Sequence, residues 1–327
     1  MIKQFRKLTP VNLFFLVLAA LALRVGIFPQ MPEVLEFSFA EPSLRLLLPI
    51  PSESPFMPKP NVFLAMILTL IQAVLLNRIV NQHNLLGKPS FLPALMYVTA
   101  SAILMPFMIL NPVTLCNFLL IWMIGKFLNI YRRPDIISLM FDMGLITGVG
   151  TLIYFPFIAM FLVLLICLII FRPFNWREWA AGFIGFMLVY LFLAVFYYWN
   201  DSLAQFYHIW IPLTTPFPSR LTINVADYIV LVPLILILIL SLYQIRQNFF
   251  RSYVHIRKSF QLLFALLLLA LISFYLKAGE VRIYHFLLAV PPVSIFMAYY
   301  FLHARKRWVY ETLYFLLAGF IIYFQFF

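Results

Sequence analysis

The chain has 327 residues, 65% of them apolar and 10% charged, with a mean hydropathy of +1.00. Soluble domains average about 45–50% apolar and about 25% charged residues, so these figures exclude a soluble enzyme, a membrane-tethered soluble domain and a disordered chain. A net charge of +12 would point to nucleic acid in a soluble protein. No recognition motif accompanies it, and in membrane proteins Lys and Arg gather in cytoplasmic loops, so no nucleic-acid partner is expected.

The first apolar run, Val11 to Phe28, follows Lys3, Arg6 and Lys7. The small-residue sequence Ala20-Leu21-Ala22 sits inside the run rather than after it, which favours a signal anchor over a cleaved signal peptide. Residues 30–60 form a proline-rich outer loop carrying Glu33, Glu36, Glu41 and Glu53. Within it, Ser43 to Ile50 is too short to span and suits an interfacial segment. Further apolar runs cover 61–80, 91–109, 112–130, 136–151, 152–171, 179–199, 225–244, 259–276, 284–302 and 310–327. A second outer loop covers 200–224. The division between 136–151 and 152–171 rests on Gly148, Gly150 and Pro156, which suit a tight hairpin.

These runs predict an all-α, polytopic integral membrane protein with about eleven transmembrane helices, since one span needs about 20 mostly apolar residues. Charge gives the orientation. With the N-terminus inside, the inner segments carry Lys3, Arg6 and Lys7, then Arg78 and Lys88, then Lys126, Arg132 and Arg133, then Arg172 and Arg177. Arg246, Arg251, Arg257 and Lys258 follow, and then Arg305, Lys306 and Arg307, leaving few of the 23 basic residues outside. This asymmetry predicts an inside N-terminus, an outside C-terminus and a bacterial inner membrane. Trp176, Trp179, Trp199, Trp210 and Trp308 fall at span ends, as interfacial tryptophans do. Cys116 and Cys167 lie in apolar runs at opposite depths, with no disulfide expected.

Few residues carry chemistry. Glu33 and Glu36 follow the first span closely and suit a general base or a divalent-metal ligand, or else are ordinary loop acids. Arg24 lies roughly 6 Å inside the end of the first run. It can snorkel outward, bind a lipid phosphate or pair with a nearby Glu. Asp142 is an intramembrane acid roughly 9 Å from the inner edge of its helix, a functional candidate or a hydrogen-bonded structural group. Arg220, Lys277 and Arg282 are outer cations suited to a lipid-linked phosphate. Gly144-x-x-x-Gly148 and Gly182-x-x-Gly185 predict close helix packing. The five histidines form no HxxxH or HExxH pattern, which argues against a membrane di-iron oxygenase or a zincin, so no histidine-built metal site is predicted and a divalent metal is open only at the outer-loop carboxylates.

Over nearly its whole length, through KLTPVNLFFLVLAALALRV and HNLLGKPSFLPALMYV, the chain resembles an uncharacterised family of multi-pass inner-membrane proteins from Bacteroidota. Members are sometimes labelled carotene monooxygenases, a label for which the histidines give no chemical basis. More loosely, it resembles the GT-C superfamily of lipid-linked glycosyltransferases. The first span ends in ALRVGIF before Glu33 and Glu36. A glycine-rich span, MFDMGLITGVGTLIYFPF, precedes the basic-aromatic FRPFNWREW, and EVRIYHFLLAVPPVSIF lies near the end. The acid spacing differs from the usual adjacent pair. That likeness implies an enzyme using a polyprenyl-phosphate sugar at the outer leaflet, with Glu33 or Glu36 as base or metal ligand. The alternative is a non-enzymatic subunit of an envelope assembly or secretion complex, held by other membrane proteins, or a transporter.

Overall fold

The computed structural model describes residues 1–27, 58–131, 133–208, 210, 228–276 and 283–326. Among them the chain is helical, with no strand. A single turn, α1 (Ile2–Phe5), precedes α2 (Val11–Ala22), α3 (Pro58–Gln82), α4 (Leu92–Ala100), α5 (Pro112–Leu128), α6 (Ile137–Ile153) and α7 (Ala159–Phe171). Then come α8 (Trp176–Trp199), the short α9 (Leu203–His208), α10 (Leu231–Asn248), α11 (Val254–Ile272), α12 (Val290–His303) and α13 (Arg307–Phe326). Local chemistry starts several of them. Asn111 caps α5 by accepting the Thr114 N–H at 2.9 Å, with Pro112 as the first helical residue, where its missing N–H costs nothing. Asn175 accepts the Arg177 N–H at 3.2 Å to start α8.

Among the described residues, six helices are long and apolar enough to cross a membrane: α3, α8, α10, Val254–Leu276, Ile283–His303 and α13. Val11–Ile27, Pro112–Leu128, Ile137–Ile153 and Phe155–Phe171 are shorter. Each covers about 26 Å at about 1.5 Å per residue, just under the about 30 Å of a hydrocarbon core. The α-helical part of the run at 91–109 is only nine residues, α4. By length, then, six of the eleven expected runs qualify as spans. Phe183, Ile184, Leu191, Phe192 and Val195 on α8, with Val232, Ile235 and Ile239 on α10, present large exposed apolar faces, a surface suited to lipid. Trp176 and Trp199, both exposed, bracket α8.

Basic residues gather at one end of the bundle. Arg6 donates to the Phe301 carbonyl at 2.9 Å and the Ala304 carbonyl at 2.7 Å, and lies 4.1 Å over the Tyr310 ring. It thereby caps the C-terminal carbonyls of α12, where a cation opposes the helix dipole. Glu311 accepts from the Met1 ammonium at 3.2 Å and from the Ile2 and Lys3 amides at 3.3 Å. Arg172 joins Glu178 at 2.8 Å and the Arg133 carbonyl at 2.6 Å. Burial, with His255 nearby, pushes the His83 imidazole below its ordinary value. Lys59 and Arg24 are the described cations toward the opposite, far end.

The hairpin between α6 and α7 exists, three residues later than its glycines suggest. Tyr154 is extended (φ −149°, ψ 110°), and a 3₁₀ turn, Phe155–Ile158, begins with Pro156 in its first positions. Proline starts a helix well but cannot continue one. Gly150 leaves the space that the Phe157 ring occupies.

Every residue of α4 is buried. The helix ends at Ala100, and irregular backbone follows before a 3₁₀ turn at Met105–Phe107. Broken backbone at membrane depth is tolerated only inside protein, where other groups satisfy it. Here Arg24 Nη2 donates to Ser101 Oγ at 3.3 Å and Gln325 Nε2 reaches the Ala102 carbonyl at 3.5 Å. Gln325 also accepts the Gly26 N–H at 3.2 Å and donates to the Leu23 carbonyl at 2.6 Å, tying the end of α2 to the end of α13.

Candidate functional site

Three stretches of the bundle meet at the far end around one cavity of about 370 Å³. α10 contributes Leu231, Leu234, Ile235 and Leu238; α11 and its extension contribute Leu267, Leu271 and Phe274. The third wall is a seven-residue 3₁₀ helix, Ile283–Ala289, that leads into α12. A 3₁₀ helix repeats every three residues, so positions i and i+3 share a face. Ile283, Phe286 and Ala289 therefore line the cavity together, and Val290 and Val293 continue the wall along α12. Ala100, Ile103, Leu104 and Phe107, from the broken segment after α4, close the floor. Tyr228 carries the one polar side-chain group among the described residues of this lining. Such a space accepts an apolar chain, and its described lining residues offer no charge.

His285 is only 1% exposed and does not belong to that lining. Its Nδ1 is 2.8 Å from the Tyr154 hydroxyl, and its Nε2 is 3.0 Å from the Ala270 carbonyl and 3.2 Å from Ser273 Oγ. A carbonyl can only accept, so Nε2 carries the proton and Nδ1 accepts from Tyr154. This knot binds the 3₁₀ helix to α11 and to the α6–α7 hairpin, fixing one wall of the cavity. Nearby, Asn117 donates to the Leu287 carbonyl at 3.0 Å. Tyr97 donates to Gln72 at 2.8 Å, and Gln72 to the Thr114 carbonyl at 2.6 Å.

Of the residues singled out from sequence, Glu33, Glu36, Arg220, Lys277 and Arg282 lie outside the described residues, as do most of the two outer loops. Arg24 is described. It is 1% exposed, donates to Ser101 and, at 3.4 Å, to the Ala20 carbonyl. The side chain turns into the protein instead of snorkelling outward, with Ser101 as its acceptor in the break after α4 and Nε left without a partner. Asp142 is paired with Lys126 at 2.6 Å across α6 and α5, with 44% of its side chain exposed, and Lys126 Nζ sits 5.4 Å from the Trp122 ring. No group of three or more His, Cys, Asp or Glu able to hold a metal occurs among the described residues. Cys116 on α5 and Cys167 on α7 are buried on different helices. The cavity and the His285 knot were not foreseen. His285 faces Tyr154 from 131 positions away, and no spacing signals such a pair.

Apolar helices long enough to span, with an apolar outer surface, define a polytopic helical membrane protein. The chain belongs to a family of unknown function, DUF6427, which it matches over residues 47–327. No curated protein and no solved structure matches it.

Proposed function

We propose that this protein handles a lipid whose apolar tail enters the far-end cavity, and that the chemistry is sugar transfer from a polyprenyl-phosphate donor. The cavity carries the reading: about 370 Å³, walled by aliphatic and aromatic side chains of α10, α11 and α12. It lies where the chain passes into segments bearing outer cations; Ile283, which lines it, directly follows Arg282 in sequence. In this reading the basic end faces the cytoplasm across a bacterial inner membrane, in keeping with the segregation of cations. The GT-C resemblance supplies the reaction class, and shared layout alone is an analogy.

The acceptor hydroxyl oxygen forms a bond to the anomeric carbon, and the bond from that carbon to the phosphate oxygen breaks. Polyprenyl phosphate leaves, and Glu33 or Glu36 takes the hydroxyl proton, with a divalent metal at these carboxylates as the other role open to them. Arg220, Lys277 and Arg282 neutralise the leaving phosphate. Arg24, which donates to Ser101 and the Ala20 carbonyl, is the fourth cation of this set. The Glu33→Gln/Glu36→Gln double variant, present at normal levels, should lose the envelope glycan product; an unchanged glycan profile overturns the catalytic role. Separately, Ala289→Phe should reduce lipid co-purifying with the protein, and unchanged lipid content overturns the use of the cavity.

A second reading, a subunit of an envelope assembly complex or a transporter, draws on the half-exposed Lys126–Asp142 pair. An ion pair on an otherwise apolar helix face suits a contact with another membrane protein.

A further inference from the structure

The basic end holds a second cavity, lined by charged and amide side chains that the first does not have. It measures about 260 Å³ and lies between the last two turns of α10 and the turn joining α12 to α13. α10 contributes Leu240, Tyr243, Gln244 and Gln247; the facing side contributes Tyr300, Arg305, Lys306 and Val309, with Ala304 between them. Arg305 and Lys306 make no ion pair with an acid among the described residues. Glu311, five positions after Lys306, is already engaged by the first turn of the chain. Gln244 Oε1 is buried without a hydrogen-bond partner. An amide can present either its oxygen or its NH₂ at such a position, and turned over it donates into the cleft.

The depth of the cleft identifies the kind of ligand. Leu240 and Val309 floor it where the apolar stretch of α10 gives way to Tyr-Gln-Ile-Arg-Gln. The exposed Trp308 stands next to its rim in sequence, at the level where indole rings settle between headgroups and acyl chains. Two adjacent cations, amide donors and tyrosine hydroxyls above an apolar floor match a phosphodiester that continues into an acyl chain. Basic pockets between spans on the positive side are suited to anionic lipid headgroups. We infer that this cleft binds the headgroup phosphate of one anionic glycerophospholipid from the leaflet that the basic end meets. The site is independent of any chemistry at the far end.

The test is native mass spectrometry of the full chain in detergent, titrated with phosphatidylglycerol or with phosphatidylcholine. One saturable phosphatidylglycerol adduct is expected, bound about tenfold or more tightly than phosphatidylcholine. Arg305→Gln/Lys306→Gln should weaken that adduct by about tenfold or more, at roughly 1 kcal/mol for each basic residue near a headgroup. Arg177→Gln, at the same end but outside the cleft, should leave it within about twofold. Should the double variant not purify, Gln247→Leu is expected to weaken the adduct in the same direction. Equal losses from Arg177→Gln and Arg305→Gln/Lys306→Gln would mean diffuse charge attraction and overturn the site. An unchanged adduct in the double variant also overturns it. Displacement of the lipid by excess inorganic phosphate would make free phosphate the ligand and overturn the lipid assignment.

Discussion

The interface between α6 and α8 and the gap between α10 and α12 are built from similar apolar sequence, yet one closes completely and the other leaves a cavity. α6 meets α8 through Gly144 and Gly148 on one side and Gly182 and Gly185 on the other. A Cβ at Gly144 would collide with the Gly182 carbonyl oxygen and lie 2.8 Å from the Phe186 nitrogen; one at Gly185 would collide with the Phe141 carbonyl. The backbones touch because nothing stands between them, and in lipid such close packing is a main source of helix association. α10 instead turns Leu231, Leu234, Ile235 and Leu238 toward α12. Branched side chains of that size leave space toward the far end, while nearer the basic end Ser241 Oγ donates to the Phe296 carbonyl and the two helices meet. Small residues decide closure here, and hydrophobicity does not.

The strongest way to break this contrast is to put side chains into the seam. Gly144→Leu or Gly185→Leu should destabilise by about 3 kcal/mol or more, the upper range for overpacking, because backbone atoms are the obstacle and cannot rotate away. Gly319→Leu is the control, since nothing lies within 4 Å of a Cβ there, and it should be close to neutral. Thermal unfolding of the purified variants in detergent measures both. A Gly185→Leu protein that melts with the parent would show that the seam is not closed.

That seam was readable in advance, because Gly-x-x-x-Gly and Gly-x-x-Gly spacings state which helix faces are smooth. The apolar runs and the end at which the cations gather were equally legible, since both are written locally. The break after Ala100 was not. Its residues are as apolar as their neighbours, and only the burial of α4 on all sides permits it. Arg24 showed its depth but not its partner, because Ser101 lies 77 positions away. The cavity was invisible for a related reason: Leu231–Leu238 has the composition of a packed helix, and a void depends on what faces it. The proposed catalytic acids were chosen from loop position, which specifies a side of the membrane but no geometry.

Truncations give a middle-sized test of the same contrast. Leu164 is fully buried and its Cδ2 would lie 3.1 Å from a Cβ on Gly182. Leu164→Ala should therefore cost about 2–5 kcal/mol, as close-packed leucines do. Leu271 already borders the far-end cavity and is 38% exposed. Leu271→Ala enlarges an existing space and should cost about 1 kcal/mol or less, since fewer packed contacts are lost. Equal losses in unfolding midpoint would mean that the cavity is filled in the working protein by something that packs as tightly as a helix. Adding lipid extract to the Leu271→Ala sample then separates a bound lipid from protein packing, since only the former restores the midpoint.

The smallest effect is expected at Asp142, which shares α6 with the seam but turns toward α5. Its bond to Lys126 is short, at 2.6 Å, yet the two side chains are 44% and 22% exposed. Partly exposed ion pairs contribute about 1 kcal/mol or less, and an asparagine can still accept from Lys126. Asp142→Asn should thus shift the unfolding midpoint little, far less than Gly144→Leu two residues along the same helix. This makes it a clean functional probe, because a loss of function cannot then be charged to misfolding. If the transporter reading holds, Asp142→Asn abolishes function while Glu33→Gln/Glu36→Gln is silent; if the glycosyltransferase reading holds, the pattern reverses. Should Asp142→Asn instead destabilise as much as a glycine substitution, the pair is a buried structural element, and α6 is held on both faces rather than by the glycine seam alone.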